Sequence, residues 1–444
     1  MILGVISLVL TSFITSFQFG FFTLSSFALL MVLIVFVFGL VFRTYKQGES
    51  PHSQKKQVAN FFPLVLFFSY FLFLYFSRGL YQTDLYFSTL IMVLPLLGLP
   101  FLLLYAFSDF AAKYFPTRLQ FFVLIIIAFL LRVCMILSSP EPVIDVFFAQ
   151  KEAVLHFLAG DNPYDSIYTN VYSIKEGTVF AYLPAVFLLQ IPFVSLFSDP
   201  RVIMSISDVI AAFLLFKIAG KSPTAEVLAL IYLYRTNSLF VIEQAWLAPL
   251  ILLFVILLFY ISQFKRTYFF LKGSVCAVLA LIQFHYLVFF IFLLLLYRKQ
   301  RNFLLGFVIV FFSIIVPFFL WNPRAFYERT FLLYMRGPEI LANVMPIHKS
   351  LSVNTFYYML TGQDYPSFVI YVVIALSFLF LFYFCHLYIL RVKNELDKNA
   401  FLLLCCISFF LIFFSFSFFS FINYYYYIGG LIILWLCIKV RRYA

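Results

Sequence analysis

Charge is what this sequence lacks. Asp, Glu, Lys and Arg make up 11% of its 444 residues, against roughly 25% in a soluble globular domain, which excludes a water-soluble fold of this size. No tract reads as a P-loop, a GxGxxG turn, an HExxH helix or a Ser-His-Asp arrangement, so the enzyme classes those motifs mark find no support. No DxD stands in a polar setting, and a nucleotide-sugar donor on the cytoplasmic side is not expected. No Asn-x-Ser/Thr sequon occurs, which leans towards a bacterial inner membrane rather than an endoplasmic reticulum. The six cysteines, Cys134, Cys276, Cys385, Cys405, Cys406 and Cys437, all fall in apolar stretches without metal-ligand spacing, so no metal and no cofactor is expected. Residues 1–5 lack the basic start and small-residue cleavage site of a signal peptide and read as the opening of a retained helix.

What is present is hydrocarbon. Hydrophobic residues make up 65%, and the 66 phenylalanines are scattered over every apolar run, as lipid-facing bulk rather than a binding motif. A spanning helix needs roughly 20 apolar residues. The candidates are 2–18, 21–42, 60–78, 87–108, 120–138, 180–197, 202–219, 224–241, 246–263, 303–321, 367–391, 399–420 and 423–438. Residues 273–297 form one further block, broken by Gln283-Phe284-His285-Tyr286 and flanked by basic clusters, as in a hairpin of two short helices. The expected fold is therefore an all-α polytopic membrane protein with about 13 to 15 transmembrane helices.

The net charge of +12 is explained by topology and not by nucleic acid, which is not an expected partner. Twenty of the 30 basic residues sit in short clusters between apolar runs, as the positive-inside bias arranges them on the cytoplasmic side. Counting crossings from those clusters puts two polar segments, 139–179 and 322–350, on the opposite side. The count leaves one odd crossing between 139–179 and Lys217/Lys221. Residues 180–200, with Pro184 and Pro192, are then expected to be a broken or re-entrant element.

Chemistry concentrates between Arg132 and Pro184. The stretch holds Arg132 near a helix end, Asp145, the turn Gly160-Asp161-Asn162-Pro163-Tyr164-Asp165 and the re-entry Phe180-Ala181-Tyr182-Leu183-Pro184. A carboxylate at the mouth of a membrane cavity can act as a general base if a substrate hydroxyl reaches it; alternatively, these acids are solvated loop residues. Asp161 and Asp165 read as turn and cap residues. Arg132, Asp208 and Glu243 are ionisable groups in apolar surroundings and need partners or a cavity. The expected partners are Glu141 for Arg132, and Arg235 or Lys217 for the two acids.

Arg132, Asp145, the Gly-x-Asn-Pro-Tyr turn and the Tyr-x-Pro re-entry together resemble the GT-C superfamily of glycosyltransferases. The likeness is closest to its polyprenol-phosphate-mannose-dependent mannosyltransferase-like group. Ser207-Asp208, Arg235-Thr236-Asn237-Ser238 with Ile242-Glu243-Gln244-Ala245-Trp246, the block from Gly273 to Tyr286, and Trp321-Asn322-Pro323-Arg324 extend the similarity over roughly 125–365. In this chain about five apolar spans precede the acidic loop, where that group usually has one. The resemblance implies 1–119 as an added N-terminal bundle, 120–365 as a GT-C-like core, and 366–444 as C-terminal helices. It implies inverting transfer of a sugar from a polyprenyl-phosphate donor to a lipid or glycan acceptor on the non-cytoplasmic face. Asp145 would be the base. Substrate-binding residues would be Arg132, Asn162, Tyr164, Tyr182, Glu243, His285, Arg336, His348 and Lys349, with cations holding the donor phosphate. Two other classes compete: a polysaccharide polymerase or O-antigen-ligase-like enzyme built on Arg336 and His348, and a lipid or glycan transporter.

Overall fold

The fold is all-α and polytopic, seen in a computed structural model that describes residues 1–16, 21–47, 61–106, 117–172, 178–263, 268–332 and 347–441. The first five helices are α1 (Ile2–Ser16), α2 (Leu24–Gln47), α3 (Phe62–Phe76), α4 (Leu85–Ala106) and α5 (Thr117–Ser138). Around the first polar loop follow α6 (Asp145–Ala159), α7 (Ala185–Phe197), α8 (Arg201–Ile218), α9 (Pro223–Leu233), α10 (Ser238–Glu243) and α11 (Ala248–Ser262). The remainder is α12 (Phe269–Ile282), α13 (Leu287–Tyr297), α14 (Arg301–Trp321), α15 (Pro323–Tyr327), α16 (Val353–Thr361), α17 (Ser367–Arg391), α18 (Glu395–Phe416) and α19 (Ile422–Arg441). Seven of these, α2, α4, α5, α14, α17, α18 and α19, are long and apolar enough to cross a membrane, and seven shorter helices are apolar. The expected hairpin is α12 and α13, joined by a tight turn at Phe284–Tyr286.

Two ends of the bundle are distinguishable by their contacts. Arg391 lies over Tyr45, Lys439 is 3.6 Å from Asp397, and the Met1 amine feels Arg43 and Lys439, so the basic clusters meet at one end. At the other, Thr83 N–H donates to Ser138 O, Phe22 N–H to Lys349 O, and Leu351 N–H to Ser420 O. Asn322 Nδ2 donates to Asp165 at 3.0 Å, tying the two polar loops together there.

α7 does not carry the chain from one end to the other. Its entry at Tyr182 is held by Tyr164 of the first loop. Its exit at Asp199–Arg201 is pinned to Ser139 O and Ile136 O, at the close of α5. Both ends lie on the loop side, and 13 residues span only about 20 Å. This accounts for the odd crossing in the sequence.

The span expected at 224–241 is broken into α9 and α10. Asn237 adopts a left-handed φ of 61° and its Nδ2 donates to Thr15 O. The carbonyls freed by the break are taken up internally: Tyr232 O by Arg235 Nε, and Leu233 O by Arg132 Nη2 and Ser238 Oγ. Irregular backbone at membrane depth survives only where such partners exist.

The N-terminal helices are not peripheral. α1 packs against α19, α3 against α9, and α4 against α5. Gly4 of α1 is a glycine because Trp435 of α19 occupies the space a Cβ would need. α12 and α14 also meet backbone to backbone, where Gly273 faces Phe303 O and Gly306 faces Phe270 O, the small-residue packing that serves inside membranes.

Candidate functional site

The chain leaves α5 at Ser138 and turns through Pro140 and Pro142 into Ile144, whose extended φ and ψ of −143° and 132° set the start of α6. Asp145 is the first helical residue. Its Oδ1 accepts from the Val146 N–H at 2.8 Å. Helix N-terminal placement and that hydrogen bond favour the carboxylate, but burial opposes it more strongly, and the carboxyl titrates above the usual Asp range. Among the described residues Asp145 forms no ion pair. The phenols of Tyr81 and Tyr172 meet beside it, one from the loop between α3 and α4, the other from the first polar loop. Burial pushes both phenols up. Tyr81 is raised further by the Glu243 carboxylate, and Tyr172 by Asp145.

Beneath this cluster lies Glu243, fully buried at the close of α10. Oε2 accepts from the Leu80 N–H at 2.7 Å and from Gln244 Nε2 at 3.0 Å, and Oε1 accepts from the Tyr81 N–H at 2.8 Å. A Cβ on Gly79 would collide with that carboxylate. Glu243 therefore latches the 77–84 loop, with Tyr81 on it, against the core. Its oxygens accept from protein donors, and Arg235 is not among them.

No family model, no curated protein and no solved structure matches this chain.

The remaining expected site residues divide by placement. Arg132 is wholly buried, and its partner is Asp208, with Nη2 2.9 Å and Nε 3.0 Å from Oδ2, rather than the expected Glu141. Its other donors reach Ala128 O and Leu233 O, and Tyr232 donates to Asp208 Oδ1. That network engages all three guanidinium nitrogens inside the core. Asn162 Oδ1 accepts from the Tyr164 N–H at 2.9 Å and forms the expected turn, while its Nδ2 is buried without a partner. Tyr164 is buried among Phe180, Phe318 and Phe326, and its hydroxyl donates to Tyr182 O at 3.0 Å. Tyr182 is half-buried at the loop edge, against Phe180.

His285 caps the α12–α13 hairpin inside a cage of Tyr286, Phe410, Phe413 and Phe414, with Nε2 unpartnered. His348 Nε2 faces Asp364 Oδ1 at 3.0 Å and its ring stacks on Tyr358 at 3.7 Å. Asp364 is fixed in turn by Asn354 Nδ2 at 2.6 Å. Lys349 is exposed on the loop side. Arg336 lies outside the described residues. Among the described residues no three His, Cys, Asp or Glu side chains converge on a point that could hold a metal ion.

Four features of this end escaped sequence reasoning: the Gly79–Tyr81 latch, the Arg201–Asp199 clamp, the Asp165–Asn322 bridge and the Asp364 partner of His348. Arg201 does carry a signal. It follows Asp199-Pro200, and the Asp199 carboxylate caps the Arg201 N–H at 2.8 Å while gripping its guanidinium at 2.6 Å. The guanidinium also lies over the Phe147 ring at 4.9 Å, which steadies α6 two residues beyond Asp145.

Proposed function

We propose that this protein is a membrane glycosyltransferase that moves a sugar from a polyprenyl-phosphate carrier to an acceptor hydroxyl, with Asp145 as general base. The observation that carries the reading is a half-buried carboxylate without an ion pair among the described residues, at the foot of the acidic loop and flanked by two phenols. In this mechanism Asp145 takes the proton of the acceptor hydroxyl as its oxygen attacks the anomeric carbon. The lipid phosphate leaves from the opposite face and the anomeric configuration inverts. A base whose pKa is raised by burial accepts that proton more readily than a solvated aspartate. The basic end of the bundle is the cytoplasmic side by the positive-inside bias, which leaves Asp145 on the non-cytoplasmic face. The exposed Lys349 on that face is available to a phosphate.

The test is a panel of polyprenyl-phosphate sugars, mannose included, offered to the purified protein beside Asp145→Asn. The reading expects one donor to be consumed by wild type and not by the variant. Equal consumption by both removes Asp145 from the base role. One observation favours the polymerase reading instead: Asp364 orients the His348 ring, as a catalytic histidine requires. Loss of transfer in His348→Gln with Asp145→Asn unaffected would select it.

A further inference from the structure

We propose that Arg235 holds a small monovalent anion, chloride being the abundant one, within the membrane-embedded core. The inference does not depend on the glycosyltransferase reading. Arg235 is 4% exposed in the break between α9 and α10. Its Nε donates to Tyr232 O at 3.1 Å and its Nη1 to Tyr426 O at 2.7 Å. The guanidinium carbon lies 3.8 Å from the Tyr426 ring centroid and 4.4 Å from that of Tyr232. Nη2, with two N–H donors, is buried and has no partner.

The charge count shows what is missing. The nearest acid in this network, Asp208, is already neutralised by Arg132, so Arg235 is a surplus cation. Among the described residues it forms no ion pair. Arginine does not escape by losing its proton, and an unpaired charge in hydrocarbon is strongly disfavoured. Aromatic faces attract the cation but do not cancel it. A water on Nη2 would satisfy its donors and leave the charge.

The Tyr426 hydroxyl lies within reach of the Arg235 side chain, and the neighbouring Thr236 Oγ1 is buried without a partner among the described residues. An anion beside Nη2 would meet the charge and the free Nη2 donors together. One flank is closed by backbone: a Cβ on Gly430 would lie 3.0 Å from Nη1, and one on Gly429 3.8 Å. With Arg235 only 4% exposed, the enclosure suits a small ion and not a lipid headgroup phosphate.

Thermal unfolding of the detergent-purified protein, titrated with chloride or bromide against gluconate at fixed ionic strength, tests this. The expected result is a midpoint that rises with halide and saturates. Arg235→Met should abolish the saturable part, leaving only the shallow general salt effect shared by any protein. Tyr426→Phe should weaken the halide midpoint several-fold. Should Arg235→Met not fold, bromide anomalous scattering from wild-type crystals decides, with a peak beside Nη2 expected. The proposal is overturned if wild-type unfolding ignores the anion, if Arg235→Met keeps the saturable response, or if no bromide peak stands at Arg235.

Discussion

Gly79→Ala should release the loop between α3 and α4 from the core. The new methyl would fall on Oε1 of Glu243 and 2.8 Å from Oε2, so either the carboxylate or the loop must move. Both oxygens accept from N–H groups of that same loop, at 2.7 and 2.8 Å, and the residue is fully buried. A hydrogen bond to a charged group contributes about 1.5–3 kcal/mol, so losing both predicts a destabilisation of about 3–6 kcal/mol. If the carboxylate swings and keeps one bond, the loss is half of that. Reversible unfolding in a mixed-micelle SDS titration reads the difference directly, and limited proteolysis at 77–84 shows whether the loop is free. Gly39→Ala is the control. Nothing lies within 4 Å of a Cβ there, in the middle of α2, so it should be neutral or stabilising by up to about 1 kcal/mol. If the two variants unfold together, the latch does not exist as described.

Further outcomes follow from the same geometry. The acidic limb of kcat/KM should lie above the ordinary aspartate range, because burial raises Asp145 and the deprotonated form is the base. A limb at the solvated value would remove the burial argument. A raised folded pKa also means that Asp145 contributes stability below its unfolded pKa and loses it as pH climbs through the folded one. Asp145→Asn should thus be no less stable than wild type at neutral pH, measured by thermal unfolding. Breaking the Arg132–Asp208 pair from one side, as Arg132→Met or Asp208→Asn, should cost about 3–5 kcal/mol. Arg132→Met combined with Asp208→Leu should recover much of that, and simple additivity in the cycle would argue against the pairing. Finally, Tyr164→Phe should cost about 1 kcal/mol through the lost bond to Tyr182 O, with donor consumption retained.

The spans were legible because lipid enforces a length and a composition that no other setting demands. Residues 367–391 were expected as a span and are α17 to the residue, and the hairpin turn falls on the polar Gln283–Tyr286 break. The broken span at 224–241 was not legible. Arg235-Thr236-Asn237-Ser238 interrupts its apolar run, but the sequence does not show that Arg235 and Asn237 take carbonyl partners from Tyr232, Tyr426 and Thr15 and so break the helix. Partner choice was hidden for a similar reason. Arg132 reaches an acid 76 positions away rather than the nearby Glu141, because helix packing and not sequence distance decides which charges meet. Gly79 stood in a short polar break of an N-terminal bundle. Nothing in that sequence says that a glutamate 163 positions beyond Leu80 closes on the loop backbone.

The packing of α1 against α19 has a consequence for assembly. The two helices lie almost the whole sequence apart, so during synthesis α1 enters the membrane long before its neighbour exists. It is equipped to wait. Ser7, Thr11, Ser12, Thr15 and Ser16 each donate to a carbonyl of their own helix, three or four residues back, and so present no unsatisfied hydroxyl to lipid. The notch at Gly4 then receives Trp435 when α19 arrives. A ribosome stalled before Ile422 would leave behind an inserted but unclosed bundle, with the Gly4 notch of α1 unfilled.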